Sequence, residues 1–156
     1  MEIRTYEERW HGEVTDLVLS IQNGEYGIDL PLGEQPDLMD IEGSFSDGGR
    51  FWVALEEGHV VGCIGLMRKT PTGGVLKKLF VDPRMRGRHV GLALYEALER
   101  FCHDEGIACL VLDTPSVATR SHRFYRRAGF VEITPDELPF PYTYPDRDSL
   151  LFMRRA

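Results

Sequence analysis

The sequence predicts a mixed α/β domain, in which a mostly antiparallel sheet is flanked by helices on both sides. Three observations predict it. "RFWVALEEGHVVGCIGLMR" places two β-branched and aromatic runs around Glu56, Glu57 and Gly58, the pattern of a hairpin. Val90, Ala93, Leu94, Ala97, Leu98 and Phe101 recur at the spacing of one helical face. "IACLVLD", just after them, is a nearly continuous apolar run, as expected of a strand buried on both faces beside a parallel neighbour.

The elements follow in order. "IRTY" forms a short first strand. "ERWHGEVTDLVLSIQ" carries Trp10, Val14, Leu17, Val18 and Ile21 at helical spacing. "NGEYGIDLPLGEQPDL", rich in Gly, Pro and acids, is a loop with a second helix starting near Pro36. The hairpin comes next, and the turn "TPTGG" leads into a third meander strand, "VLKKLFVDP". The long helix runs to about Glu105, where Gly106 ends it. With "IACLVLD" this completes a central β-α-β unit. A further helix spans "VATRSHRFYRRAGF", then a strand "FVEIT", a Pro-rich stretch "PDELPFPYTYPD" and a last strand "SLLFMRR". No repeat, low-complexity segment or linker interrupts the 156 residues, so one domain over 1–156 is expected.

Composition narrows the function. The formal net charge of −7 argues against broad nucleic-acid binding, which needs a basic surface. It is compatible with an acidic groove that attracts amines. No apolar run is long enough to span a bilayer, and "MEIRTYEERW" lacks the apolar centre of a signal peptide, so a cytoplasmic protein without a membrane partner is expected. Cys63, Cys102 and Cys109 show no paired spacing and sit among apolar residues, which predicts buried reduced thiols. His11, His59 and His103 lack ligand spacing, so no metal site is expected.

One stretch is locally inconsistent. In "VDPRMRGRHVGLAL", Arg84, Arg86, Arg88 and His89 crowd the start of the long helix. That end carries unpaired N–H groups and partial positive charge, and the Arg84 to His89 turn holds no capping Ser, Thr, Asp or Asn. Cations there cost stability unless an anion docks on the turn.

"VDPRMRGRHVGLAL" resembles motif A of the GNAT superfamily of acyl-CoA-dependent N-acetyltransferases, written Arg/Gln-x-x-Gly-x-Gly/Ala after a strand ending in Pro. Here it reads Arg86-Gly87-Arg88-His89-Val90-Gly91 after Val81-Asp82-Pro83. "RFYRRAGF" resembles motif B, at the typical distance. The resemblance implies the GNAT fold, a six- to seven-stranded mixed sheet around a β-α-β acyl-CoA-binding unit, and transfer of an acetyl group from acetyl-CoA as co-substrate to a small-molecule or peptide amine, attacked directly in a ternary complex. It maps the pyrophosphate onto the backbone of Arg86, Gly87, Arg88, His89, Val90, Gly91 and Leu92, with charge-assisted contacts from Arg86 or Arg88. It maps the pantetheine arm and thioester oxygen onto a bulged strand at Leu79, Phe80 and Val81, and the proton donor to the leaving thiolate onto Tyr125. Phe124 is expected in the core or as a wall for the cofactor.

The chain departs from the family at three places. His89 stands where Gly is usual; its backbone N–H stays available if φ there is ordinary, and altered CoA contacts rather than loss of CoA binding are expected. No carboxylate precedes motif A in Val75-Leu76-Lys77-Lys78. Ala118 stands where an Asn usually meets the arm, with Ser116, Thr119 or Ser121 as substitutes. The general base is open among Asp113, His122, Glu25, Asp29 and a water chain. Asp113 is expected to cap a turn, and His122 faces either the cleft of Tyr125, one helical turn on, or solvent. The acidic, aromatic segments around residues 23–45 and 134–150 are expected to shape the acceptor site, with Tyr26, Phe140, Tyr142 and Tyr144 covering its carbon skeleton. A homodimer through a sheet edge is compatible with this fold. The rival readings are a non-catalytic acyl-CoA-binding module, which Tyr125 argues against, and a transferase using a longer acyl-CoA. A doubly wound nucleotide-binding enzyme would carry its Gly-rich turn after the first strand instead.

Overall fold

A computed structural model describes residues 1–144 and 148–156. Seven strands form a single sheet in the order β1-β2-β3-β4-β5-β7-β6. They are β1 (Glu2–Thr5), β2 (Arg50–Glu56), β3 (His59–Thr70), β4 (Gly73–Val81), β5 (Cys109–Pro115), β6 (Val131–Ile133) and β7 (Ser149–Arg155). The helices are α1 (His11–Leu19), α2 (Pro36–Met39), α3 (Ile41–Ser44), α4 (Val90–Glu105) and α5 (Thr119–Arg127). The expected hairpin is β2–β3, antiparallel from Arg50↔Leu66 to Glu56↔His59. The expected βαβ unit is β4-α4-β5, with β4 and β5 parallel.

Strand alternation sorts the core into two layers, because successive side chains leave opposite faces. From β2, Trp52 and Ala54 pack with Val90, Leu94 and Leu98 of α4. Phe51, Val53 and Leu55 pack with Val14, Leu17 and Val18 of α1 on the other face. The helical spacings seen in the sequence are therefore the two inner faces. Leu94 is fully buried, and its truncation to Ala would cost about 2–5 kcal/mol. Helix α4 lies close to the sheet because Gly62 has no side chain: a Cβ there would stand 3.0 Å from Leu94. The helix ends at Gly106, φ 72°, as the sequence predicts. A third cluster, Val75, Val111 and Phe140, fastens the Pro-rich stretch to the sheet.

Two irregularities position the site. Strands β4 and β5 pair only at Gly73↔Cys109, Gly74↔Leu110 and Val75↔Val111. Beyond them β4 continues beside β3 and β5 beside β7, so a gap opens between the strands. The second irregularity is a bulge in β4. Cys63 faces Phe80 and Gly65 faces Lys77, so Lys78 and Leu79 oppose the single residue Ile64. Lys78 absorbs the extra length in a left-handed conformation, φ 58°. Its carbonyl accepts the Cys63 thiol at 3.2 Å. All three cysteines are free and buried, as expected, and burial pushes the Cys63 thiol up to about 12.

Candidate active site

The gap between β4 and β5 is the floor of a cleft with two halves. One half, about 840 Å³, is lined by Leu79, Phe80 and Val81 of β4, by the turn before α4, and by α5. The other, about 760 Å³, lies between Lys77 and Lys78 on one side and Asp113, Thr114 and Pro115 on the other, with the loop from Gln22 to Asp37 above them. Tyr26, Leu79, Phe80, Ser121 and Tyr125 line both halves.

The first half contains nine of the ten positions that motif A and its strand pick out: Leu79, Phe80, Val81, Arg86, Gly87, His89, Val90, Gly91 and Leu92. Arg88 is the exception. It is exposed, and its guanidinium lies 3.9 Å from the Met85 sulfur. The helical ladder of α4 starts with the Ala93 N–H donating to the His89 carbonyl at 3.0 Å, so the N–H groups before it lie outside the ladder. No side chain caps this end and no acid lies in its first turn. Gly87 enters the turn at φ 81°, a conformation that side chains disfavour.

The condition of an ordinary φ at His89 is not met in the structure. His89 sits at φ 61° and serves as the N-cap of α4. It reproduces the left-handed geometry that Gly adopts freely, a conformation in which His is enriched relative to most residues. The arginine cluster also needs correction, since its missing anions are supplied largely from within the chain. Arg84 is paired with Asp82 at 2.7 Å. Arg86 makes a two-pronged pair with Glu25, 61 residues away in sequence, one bond measuring 2.6 Å. What the turn leaves open is its backbone. The sequence carried no sign of the cations that α5 adds to this half, Arg120 and Arg127.

Tyr125 stands at the junction of the halves, 6% exposed, with its ring against Phe124, Phe130 and Phe152. Its hydroxyl makes no hydrogen bond among the described residues. Burial, then Tyr26 and Asp113, raise its pKa, so the hydroxyl keeps its proton at neutral pH. Phe124 lines the first half as a wall. Of the three candidate substitutes for the family's Asn, Ser121 lines both halves. Ser116 donates to Asp148 at 2.6 Å instead, and Thr119 is exposed away from the cleft.

The candidate bases separate cleanly. Asp113 does not cap a turn; it lines the second half and accepts the Tyr142 hydroxyl. Burial raises its pKa, opposed by that bond and by Lys77 and Lys78. His122 faces neither the cleft nor solvent. It is buried, its Nε2 donates to the Pro115 carbonyl at 2.9 Å, and its ring leans on Phe152. Glu25 is committed to Arg86, whose hydrogen bond holds its carboxyl below the usual range. Asp29 is exposed and lines neither half.

Tyr26 and Tyr144 line the second half as expected. Phe140 does not; it is core, packed on Val75 and Val111. Residues 145–147 of the second acidic segment lie outside the described residues. The sequence reading missed a buried polar network. Gln22 and Gln35 exchange amide hydrogen bonds at 2.9 and 3.2 Å, and Lys78 donates to Gln35 at 2.6 Å. Asp37 takes Lys77 at 2.9 Å and Lys78 at 3.7 Å. Burial works to raise the Asp37 pKa, but the two ammonium groups hold it below the ordinary range. The only sequence signal was a pair of lysines in an otherwise apolar strand.

Comparison with known proteins agrees with this fold. The model of the acetyltransferase (GNAT) family matches residues 15–130. An acetyltransferase from Streptococcus agalactiae, known by crystal structure, is 39% identical, superposes with a TM-score of 0.94, and covers 99% of this chain and 98% of its own. Among curated relatives, an IAA acetyltransferase from Azospirillum brasilense is 34% identical over 81% of this chain and 80% of its own length. An N-acetylaspartate synthetase from Danio rerio is 30% identical over 70% of this chain, and the match spans 39% of that longer protein.

Proposed function

The chain belongs to the acetyltransferase (GNAT) family, and on that premise we propose that it moves an acetyl group from acetyl-CoA to a primary amine by direct attack within the cleft. One observation carries the reading: the two halves of the cleft meet at Tyr125, Leu79 and Phe80. A thioester entering from one side and an amine from the other would meet beside a protonated phenol and a bulged strand.

The turn before α4 offers its N–H groups, and the dipole of a 16-residue helix, to the pyrophosphate. Gly87 and the left-handed His89 keep the backbone exposed to it. Between the parted strands, the backbone of Leu79, Phe80 and Val81 takes the pantetheine arm and polarises the thioester carbonyl. The amine arrives as an ammonium and loses a proton to Asp113, whose burial-raised pKa makes it a stronger base than an exposed carboxylate. The amine nitrogen attacks the carbonyl carbon, the C–N bond forms and the C–S bond breaks. Tyr125 protonates the leaving thiolate, and the second nitrogen proton restores the phenol. The products are the N-acetyl amine, CoA as free thiol and one proton released to solvent.

Calorimetric titration with acetyl-CoA tests the cofactor half. Wild-type binding that Arg86→Glu largely abolishes is the expected result, since the reversal sets a second carboxylate beside Glu25 at the mouth of the turn. No heat at millimolar acetyl-CoA would overturn the reading.

A further inference from the structure

The second half of the cleft holds charges of both signs on neighbouring strands. Lys77 and Lys78 come from β4 and Asp113 from β5, where the two strands have parted. Asp37 is one carboxylate shared by two ammonium groups. The lysines differ in what holds them. Lys78 is the deeper, 10% exposed at its side chain and tied to Gln35, and burial lowers its pKa. Lys77 keeps 20% exposure, lines the cavity and lies 6.0 Å from the centre of the Tyr142 ring. Tyr142 in turn donates to Asp113 on the opposite side. Glu34, which is exposed, is the remaining charged group on this lining among the described residues.

This arrangement discriminates among amines. A polyamine or other polycation would bring a second positive charge toward Lys77. A simple monoamine would engage Asp113 and leave Lys77 with only its share of Asp37. A molecule carrying both an ammonium and a carboxylate satisfies both strands, and each contact is a charge-assisted hydrogen bond in a partly desolvated site. Resting on the acetyltransferase reading above, we propose that the acceptor is an amino acid held as a zwitterion, its carboxylate on Lys77 and its ammonium on Asp113. Its side chain then lies among Ile28, Leu30, Met67 and Tyr144 of the same cavity. Lys77 is a specificity-determining residue in this assignment, and Asp113 orients the amine before accepting its proton.

The test is a steady-state panel with acetyl-CoA: the twenty standard amino acids, each beside the amine left by its decarboxylation, with the acetylated product read by mass. At least one amino acid should exceed its decarboxylated partner tenfold or more in kcat/KM. Lys77→Met should collapse that ratio toward one through KM, leaving acetyl-CoA affinity by calorimetry unchanged, while Lys77→Arg retains the preference and controls for folding. The proposal is overturned if the decarboxylated amines are equal or better acceptors, if no amino acid is acetylated by protein that binds acetyl-CoA, or if folded Lys77→Met keeps the wild-type ratio. Failure to bind acetyl-CoA at all would instead overturn the proposed function, and this inference with it.

Discussion

The two halves of the cleft are built from different materials. The first is organised around one continuous stretch, residues 79–92, which supplies a bulged strand, a turn and the open end of a helix, with α5 as the facing wall. The second is mostly side chains drawn from the early loop, β4, β5 and the Pro-rich stretch. The difference teaches why one half can be read from a sequence and the other cannot. A backbone site needs particular φ values and small residues at fixed intervals, and these are local. A side-chain site needs only that distant segments deliver compatible groups, and the same chemistry can come from many positions.

The comparison can be broken at several points. The largest effect should come at the seam. Tyr125→Phe removes the proton donor but not the ring, so kcat should fall by about 10²-fold, with acetyl-CoA affinity unchanged by calorimetry. Equal turnover in that variant would reduce Tyr125 to packing and favour a binding module over an enzyme.

Asp113→Asn tests the side-chain half. Turnover should fall about tenfold, less than the roughly 10²–10⁴ usual for loss of a general base, because water substitutes in part. Stability should move the other way. The folded chain holds the Asp113 proton more tightly than the unfolded chain does, so stability falls as pH rises from the ordinary Asp range through the raised folded value. The Asn variant escapes that loss, and its Tm at neutral pH should exceed that of the wild type, the two converging in acid. A Tm that drops at neutral pH would mean that the bond to Tyr142 outweighs the burial.

His89 tests the backbone half. A left-handed non-glycine residue costs about 1–2 kcal/mol, and glycine costs roughly 0.5–1 kcal/mol in chain entropy. His89→Gly should therefore stabilise by about 0.5–1 kcal/mol in denaturant melts while keeping acetyl-CoA affinity, and His89→Val should destabilise. Lost affinity in the Gly variant would show that the imidazole, and not the backbone, meets the ligand.

The smallest effect should be at Glu25. Glu25→Gln frees Arg86 for phosphate, and acetyl-CoA affinity should tighten about two- to fivefold at low salt, the worth of a partly exposed ion pair. The gain should fade as salt rises.

The sequence displayed all the principal elements, because the apolar spacings of α1, α4 and β5 are enforced by burial on known faces. Only the 79–92 wall of the first half, and not Arg120 and Arg127 of α5, was legible for the reason given above. The second half was not. Nothing in "VLKKLFV" says that Lys78 takes the bulge and reaches Gln35, a partner 43 residues away. His122 misleads because its spacing from Tyr125 fits one face, yet it turns to the Pro115 carbonyl. Phe140 sits in an acidic, aromatic loop and still serves the core. Arg86 looked like an unmet cation because Glu25 is brought to it only by the folded chain.

The parting of β4 from β5 has a mechanical consequence. The sheet is in effect two plates, β1 to β4 and β5 to β7, riveted along one short parallel seam near Val75 and Val111. Past the rivets each plate holds its shape through its own antiparallel ladders, so the wedge between them can stay open without either plate unravelling. A molecule seated in that wedge would act as a keystone, lending the domain rigidity along the line where its own backbone supplies none.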